Sequence, residues 1–122
     1  MRRLAAAAAV LISMLGAFTA ANAPQASADS RDGCPYPYVC FYLTKAKWDS
    51  RQPTAMFKDK GYWQTLGSNS RGSYAVVNTR NDDAAMLKQA DGYIGCAGPG
   101  GSHLGYGNSP YVEIKIVDTP HC

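Results

Sequence analysis

The chain has 122 residues, four cysteines and a formal net charge of +3, with 12 Lys and Arg against 9 Asp and Glu. A chain of this length forms one small domain with a thin core that benefits from covalent support. Asp49 and Asp59 interrupt the basic residues between Lys45 and Lys60, so the charge pattern favours a solvated face and excludes a strong nucleic-acid footprint.

The amino-terminal residues 1–28 have the pattern of a secretory signal peptide. Two arginines precede a long alanine-rich apolar run, and Ala26-Ser27-Ala28 supplies the small residues of a cleavage site. Cleavage after Ala28 is favoured over cleavage after Ala23, because the earlier cut would leave Pro24 beside the scissile bond. The apolar run barely reaches the length needed to span a bilayer, so we expect secretion and no retained membrane anchor.

The mature chain is expected to begin with a flexible arm, residues 29–33, followed by one folded domain, residues 34–122. All four cysteines lie in that domain, and an even number in an exported small domain predicts two disulfides. Three pairings are possible, and we favour Cys34 with Cys40 and Cys96 with Cys122. The first pair would close a stiff ring that contains two prolines, and the second would tie the last residue to the domain.

Short apolar runs separated by turn residues predict an all-β domain, specifically an antiparallel Greek-key sandwich. A short helical turn is predicted over residues 61–67, and a glycine-rich loop over residues 98–110 is longer than a hairpin needs. Trp48 and Trp63 are predicted to fill the core, since so small a domain needs their apolar area. The predicted strands cover residues 38–44, 54–58, 73–79, 84–88, 93–97 and 111–117.

Residues suited to catalysis or to metal binding are few. The only histidines, His103 and His121, lack metal-spaced partners, and we predict a loop residue in water and a tail residue respectively. Asp82 and Asp83 are predicted to form a turn between strands. We therefore expect no enzyme activity, no metal and no cofactor.

The glycine-rich segment from Gly98 to Ser102 superficially resembles a phosphate-binding loop. Pro99 interrupts its row of N–H donors, and no lysine or helix start follows it. Glycines that allow a positive φ in a β connection explain the segment better.

Two tyrosines, Tyr36 and Tyr38, lie inside the ring between Cys34 and Cys40. A ring of five residues leaves little space to bury both, and rigid exposed tyrosines are favoured at protein contacts. The alternative, which the sequence leaves open, is that Tyr36 packs on Pro37 or on the neighbouring strand.

Several segments together resemble the small secreted microbial metalloproteinase inhibitors that have a βγ-crystallin-like fold. The resemblance covers residues 34–117 and is carried by Cys34-Pro35, Cys40-Phe41-Tyr42, Trp48, residues 56–67 and residues 69–78. The sequence lacks the second short cysteine ring in which the family carries its reactive bond. It also matches the calcium-binding version of the crystallin motif only in part, so no calcium site is predicted.

The resemblance implies a monomeric inhibitor of a secreted, thermolysin-like peptidase. In this hypothesis a loop pinned by a disulfide enters the peptidase cleft in an extended, substrate-like pose. The second hypothesis is a binding or structural module of the cell surface that acts through Tyr36, Tyr38 and Tyr106. The predicted inhibitory contacts are Pro35, Tyr36, Pro37, Tyr38 and Val39, and the second candidate loop comprises Gly98, Pro99, Gly100, Gly101, Ser102 and His103.

Overall fold

The computed structural model describes residues 29–105 and 107–122, so the predicted signal peptide and Tyr106 lie outside the described residues. The regular structure of the described chain consists of β-strands and one helix of five residues. No helix in the described ranges is long and apolar enough to cross a membrane. The elements are β1 (Val39–Tyr42), α1 (Lys45–Asp49), β2 (Ala55–Phe57), β3 (Gln64–Thr65), β4 (Ala75–Asn78), β5 (Ala85–Gln89), β6 (Ile94–Ala97), β7 (Ser102–Leu104) and β8 (Tyr111–Ile116).

The strands form two four-stranded antiparallel sheets. Sheet 1 has the order β2-β1-β4-β7, and sheet 2 has the order β3-β8-β5-β6. All six predicted strands are present with ends that differ by at most two residues, and the all-β prediction is confirmed. The structure also confirms the favoured cysteine pairing, Cys34 with Cys40 and Cys96 with Cys122.

Three elements differ from the prediction. The helical turn predicted over residues 61–67 is wrong, because Gln64–Thr65 pairs with β8 and forms an edge strand. Ser102–Leu104 lies within the predicted loop but pairs with β4. The unpredicted helix α1 begins after Thr44, whose Oγ1 accepts a hydrogen bond from the Lys47 amide at 3.2 Å.

The main core lies between the two sheets. Phe41 and Phe57 meet edge to face with ring centroids 5.4 Å apart, and aliphatic side chains from both sheets surround them. Alternation along β8 buries Ile114 and Ile116 and leaves Glu113 and Lys115 partly exposed, as the period of a half-buried strand requires. The buried members are Val39, Phe41, Leu66, Val76, Ala85, Leu87, Ala97, Tyr111, Ile114 and Ile116.

A second apolar cluster covers the outer face of sheet 1. It contains the Cys34–Cys40 disulfide together with Tyr42, and Trp48 packs against it with its ring 5.0 Å from that of Tyr42. The two central strands of sheet 1, β1 and β4, are therefore buried on both faces, which explains why each of their residues is buried. Trp48 takes the core position predicted for it.

Trp63 does not belong to either buried cluster. Its ring is half-buried and lies 4.0 Å from the Nζ atom of Lys88, which also forms an ion pair with Glu113 at 2.8 Å. The prediction that Trp63 fills the core is wrong, because Trp63 directly precedes the short edge strand β3 and packs under a charged side chain.

The phenol of Tyr42 makes stability depend on pH in the alkaline range. Its burial, assisted by the nearby Asp32 carboxylate, raises the pKa of Tyr42 to about 12. An unfolded tyrosine has a pKa of about 10, so above that pH the unfolded chain releases this proton while the folded chain retains it. We expect the free energy of unfolding to be unaffected by Tyr42 below about pH 10 and to fall as the pH rises toward about 12.

Urea unfolding of the protein and of Tyr42→Phe over this alkaline range measures the effect. The difference in stability between the two proteins should change with pH, because only the wild type carries the Tyr42 proton. A difference that stays constant over the whole range contradicts the assignment.

Candidate functional site

The ring closed by Cys34 and Cys40 is folded as a tight turn. The Tyr38 amide donates to the Pro35 carbonyl at 2.9 Å, and the Tyr36–Pro37 peptide bond is cis. The Tyr36 amide donates to the Oγ of Ser30 at 2.9 Å. Residues 35–38 are therefore not extended in the structure, which corrects the expectation of a substrate-like strand in this ring.

Thr79, which directly follows β4, forms hydrogen bonds with the carbonyl groups at both ends of this turn. Its Oγ1 donates to the Tyr38 carbonyl at 2.7 Å and lies 3.3 Å from the Pro35 carbonyl, and its amide donates to the Tyr38 carbonyl at 3.2 Å. The threonine side chain is buried, so these bonds form where water does not compete effectively. The two ends of the turn are thus bound to one residue of sheet 1.

Arg80 holds the middle of the same turn. Its Nη1 atom donates to the Pro37 carbonyl at 3.0 Å, while its Nε atom donates to the Asp83 carboxylate at 2.7 Å. Lys60 Nζ lies 3.6 Å from the same carboxylate. Asp82 and Asp83 both lie in the connection between β4 and β5, as predicted. Asp82 is exposed in a bend, whereas Asp83 is buried and also neutralised by two cations.

Asn78, the last residue of β4, binds the second candidate loop. Its side-chain amide donates to the carbonyls of Ala97 and Gly98 at 3.0 and 3.2 Å, and its backbone amide donates to the Gly101 carbonyl at 2.9 Å. The loop itself is a turn in which the Gly101 amide donates to the Gly98 carbonyl at 2.9 Å. Gly100 has a φ of +66°, which a residue with a side chain rarely adopts.

Residues 78–80, called the anchor segment below, therefore bind both candidate loops. Arg31 adds a direct connection, because its guanidinium donates to the Gly100 carbonyl while its backbone pairs with Cys34. The structure thus brings the disulfide ring and the glycine turn together through the end of β4, although 58 residues separate Cys40 and Gly98 in the chain.

Residues 30–33 of the arm make defined contacts with the folded domain. The Asp32 carboxylate pairs with both Arg31 and Arg51, and the Tyr42 hydroxyl donates to the Asp32 carbonyl. Gly33 has a φ of +78°, and a Cβ there would lie 1.9 Å from the Arg51 carbonyl oxygen. Only glycine fits this approach, so the arm packs closely against the chain after α1.

The five predicted contact residues of the ring are not equally accessible. Tyr36 is 39% exposed and Pro35 is also exposed, whereas Pro37 and Tyr38 are half-buried. Tyr38 packs against the cluster on the outer face of sheet 1, and Val39 is fully buried in the main core. Val39 cannot contact a partner in this structure, and Tyr36 is the aromatic side chain that the ring presents.

The residues of the second candidate loop also differ in their exposure to solvent. Gly100 and Ser102 are exposed, whereas His103 lies on β7 with its ring between the sheets and hydrogen-bonded to the Tyr111 hydroxyl. The prediction of His103 as a loop residue in water is therefore wrong. Burial raises the pKa of the Tyr111 phenol and so favours the neutral hydroxyl that makes this bond. His121 is exposed in the tail, as predicted.

Across the described ranges, no group of three His, Cys, Asp or Glu side chains is placed to hold a metal ion. The exposed groups at the two loops are an aromatic ring, a proline, a glycine turn and a serine hydroxyl. Comparisons with protein-family models, with curated proteins and with solved structures found no match to this chain.

The anchor segment is the part of the site that sequence reasoning missed. Asn78, Thr79 and Arg80 follow three buried apolar residues of β4, and that change from apolar to polar is visible in the sequence. Polar residues at the end of a buried strand need hydrogen-bond partners, so this pattern in the sequence indicates that residues 78–80 bind other segments. Their side-chain partners in the two candidate loops are 19 to 44 residues away, and the sequence does not reveal them.

We predict that Thr79→Val loosens the disulfide ring. The valine keeps the shape but loses the donated hydrogen bond, which costs about 1 to 1.5 kcal/mol and leaves the two carbonyls less satisfied. Residue-resolved hydrogen exchange should then show the Tyr38 amide exchanging about tenfold faster. Thr65→Val, at an exposed strand position, is the matched control. Unchanged exchange at Tyr38 contradicts the role of Thr79.

Proposed function

We propose that the protein is a secreted peptidase inhibitor that acts on extracellular, thermolysin-like metallopeptidases. The inhibitory element is the disulfide-braced turn of residues 35–38, with Tyr36 as its main contact. The glycine turn of residues 98–101 is the second contact. The observation that carries this proposal is the presentation of an exposed tyrosine on a turn whose ends and middle are bound to the anchor segment.

The physical basis is the low entropic cost of binding through a preorganised surface. An immobilised side chain or loop costs free energy on association, and a loop already fixed in the free protein avoids much of that cost. The ring is fixed by the Cys34–Cys40 disulfide and by the hydrogen bonds of Thr79 and Arg80. Tyrosine adds a large amphipathic contact area that is typical of energetically important interface residues.

The turn geometry favours blocking of the cleft over imitation of a substrate. The carbonyls of Pro35, Pro37 and Tyr38 already accept hydrogen bonds from within the protein. A peptidase would have to break those bonds to bind the ring in extended form. If a bond between Cys34 and Cys40 were cut, the disulfide would hold both ends in place.

The class of partner comes from the resemblance of residues 34–117 to the metalloproteinase inhibitors. The finer fold, a βγ-crystallin-like Greek-key arrangement of the two sheets, is part of the same proposal. Secretion after cleavage of residues 1–28 also belongs to it, and the two disulfides are compatible with an oxidising compartment.

Titration of a thermolysin-like peptidase, a subtilisin and a trypsin with the oxidised protein tests the proposal. We expect the thermolysin-like peptidase to lose activity at micromolar protein or below. Tyr36→Ala should weaken inhibition by more than about 2 kcal/mol, or roughly 30-fold, as expected for a central aromatic contact. Tyr62→Ala, which removes another exposed tyrosine outside the ring, should leave inhibition unchanged.

Two results distinguish the alternatives. Full peptidase activity at micromolar protein in all three titrations removes the inhibitor hypothesis. Retention of the protein on cell-wall material, lost in Tyr36→Ala, would then favour a binding module of the cell surface, in which Tyr36 makes the contact and Tyr38 and Tyr106 are the other expected aromatics. Tyr38 is half-buried, and Tyr106 lies outside the described residues.

A further inference from the structure

The outer edge of sheet 2 is β6, whose backbone has a defined set of outward-pointing groups. β6 pairs with β5 alone, with Gly95 opposite Leu87 and Ala97 opposite Ala85. The Gln89 amide donates to the Tyr93 carbonyl at 2.8 Å, which sets the alternation of hydrogen-bonded pairs along this ladder. Gly95 and Ala97 thus bond to β5, and the N–H and C=O groups of Ile94 and Cys96 point away from the sheet.

The outer edge of sheet 1 on the same side is β7, with the same pattern. The Asn78 amide donates to Gly101 and the Gly105 amide donates to Tyr74, so His103 is the hydrogen-bonded partner of β4 between them. The N–H and C=O groups of Ser102 and Leu104 therefore point outward. Within residues 29–105 and 107–122, no backbone hydrogen bond of these four outward residues to another segment is present.

The two edges lie one above the other. Gly95 and His103 both face the interior, and a Cβ placed on Gly95 would lie 3.3 Å from the Nε2 atom of His103. Each of these residues stands midway between the two outward-pointing residues of its own strand. The centres of the two free edges are thus neighbours across the space between the sheets.

These edges are short, but they lack the charged residues and prolines that protect many edge strands against pairing with another strand. Natural edge strands often carry charged residues, prolines or bulges that prevent addition of a further strand. Neither β6 (Ile94–Ala97) nor β7 (Ser102–Leu104) contains an Asp, Glu, Lys, Arg or Pro. The exposed apolar side chains of Tyr93 and Ile94, 62% and 41% exposed, lie at the start of β6.

We propose that this side of the molecule binds a second copy of the chain about a two-fold axis that passes by Gly95 and His103. In an antiparallel pair centred on Gly95, Ile94 exchanges hydrogen bonds with Cys96 of the second copy. The same axis centres β7 on His103 and pairs Ser102 with Leu104 of the second copy. Both sheets are thereby continued across the axis, and an uncharged edge meets itself without repulsion.

A second copy of the chain is a better partner for this side of the molecule than an unrelated extended peptide. The outward-pointing backbone groups of both β6 and β7 need hydrogen-bond partners at the same time. One added strand would complete only one sheet, whereas a two-fold axis through stacked centres completes both. This dimer replaces the monomer expected from the sequence. It uses none of the ring residues 35–38, although Ser102 and His103 of the second candidate loop lie on the paired edge β7. Inhibition by the ring and dimerisation are therefore tested separately at Tyr36 and at Ile94.

Sedimentation of the oxidised protein over a range of concentrations tests the assembly. We expect a species of twice the mass of one chain that dissociates on dilution. Hydrogen exchange measured by NMR tests the register, because the amides of Ile94, Cys96, Ser102 and Leu104 should become protected as the concentration rises. The amides of Gly95 and His103, which bond within each copy, should be protected at all concentrations.

A substitution on each of two edge strands completes the test. Ile94→Lys places a charge on the proposed edge and should raise the dissociation constant at least about tenfold. Met56→Lys, at a residue 49% exposed on the opposite edge strand β2, is the matched control and should leave the dimer intact. A monomer at every concentration, or a dimer broken only by Met56→Lys, overturns the proposal, and circular dichroism verifies that both variants fold.

Discussion

The hydrogen bonds made by Asn78, Thr79 and Arg80 are the constraint on which the candidate site depends. These residues lie at the end of β4, which is a central strand of sheet 1. Each of them donates hydrogen bonds to backbone carbonyl groups of one of the two candidate loops. Buried polar groups must be paired, so the strand end and the loops satisfy one another. The cost of ordering the ring and the glycine turn is thus met during folding, before any partner arrives.

We expect this strand end to be rigid because both faces of β4 pack against apolar clusters. The main core fixes one face of β4 and the cluster around the Cys34–Cys40 disulfide fixes the other, so β4 is buried throughout. The disulfide therefore has two roles, since it closes the ring and also fills part of the second cluster. In this small domain, the disulfide and the second apolar cluster that stabilise the fold lie directly beside the surface that we propose binds a partner.

Much of the fold could be predicted because its signals are local. The alternation of Ile114 and Ile116 with Glu113 and Lys115 marks β8, and the two prolines between Cys34 and Cys40 favour a short ring. The short strand β3 and the strand β7 carry no such signal, since each is defined by the strand with which it pairs. The position of His103 between the sheets also carries no local signal, because its partner Tyr111 belongs to the other sheet.

The exposed residues of the site could be predicted from the sequence, whereas the buried contacts that hold them in place could not. Tyr36 in a short proline-containing ring indicates an exposed aromatic side chain, whereas the burial of Val39 and the packing of Tyr38 follow from tertiary contacts. The neutralisation of Asp83 by Arg80 and Lys60 likewise depends on segments that are distant in the sequence.

The most direct measurement of this rigidity is the backbone order parameter of the free protein from ¹⁵N relaxation. If the anchor segment fixes both loops, the amides of residues 36, 38 and 98, and of 100 and 101, should have order parameters near 0.85, the value of rigid backbone. These values should equal those of β1 and β4. Order parameters below about 0.6 in the ring or in the glycine turn would contradict the central claim that both loops are preorganised.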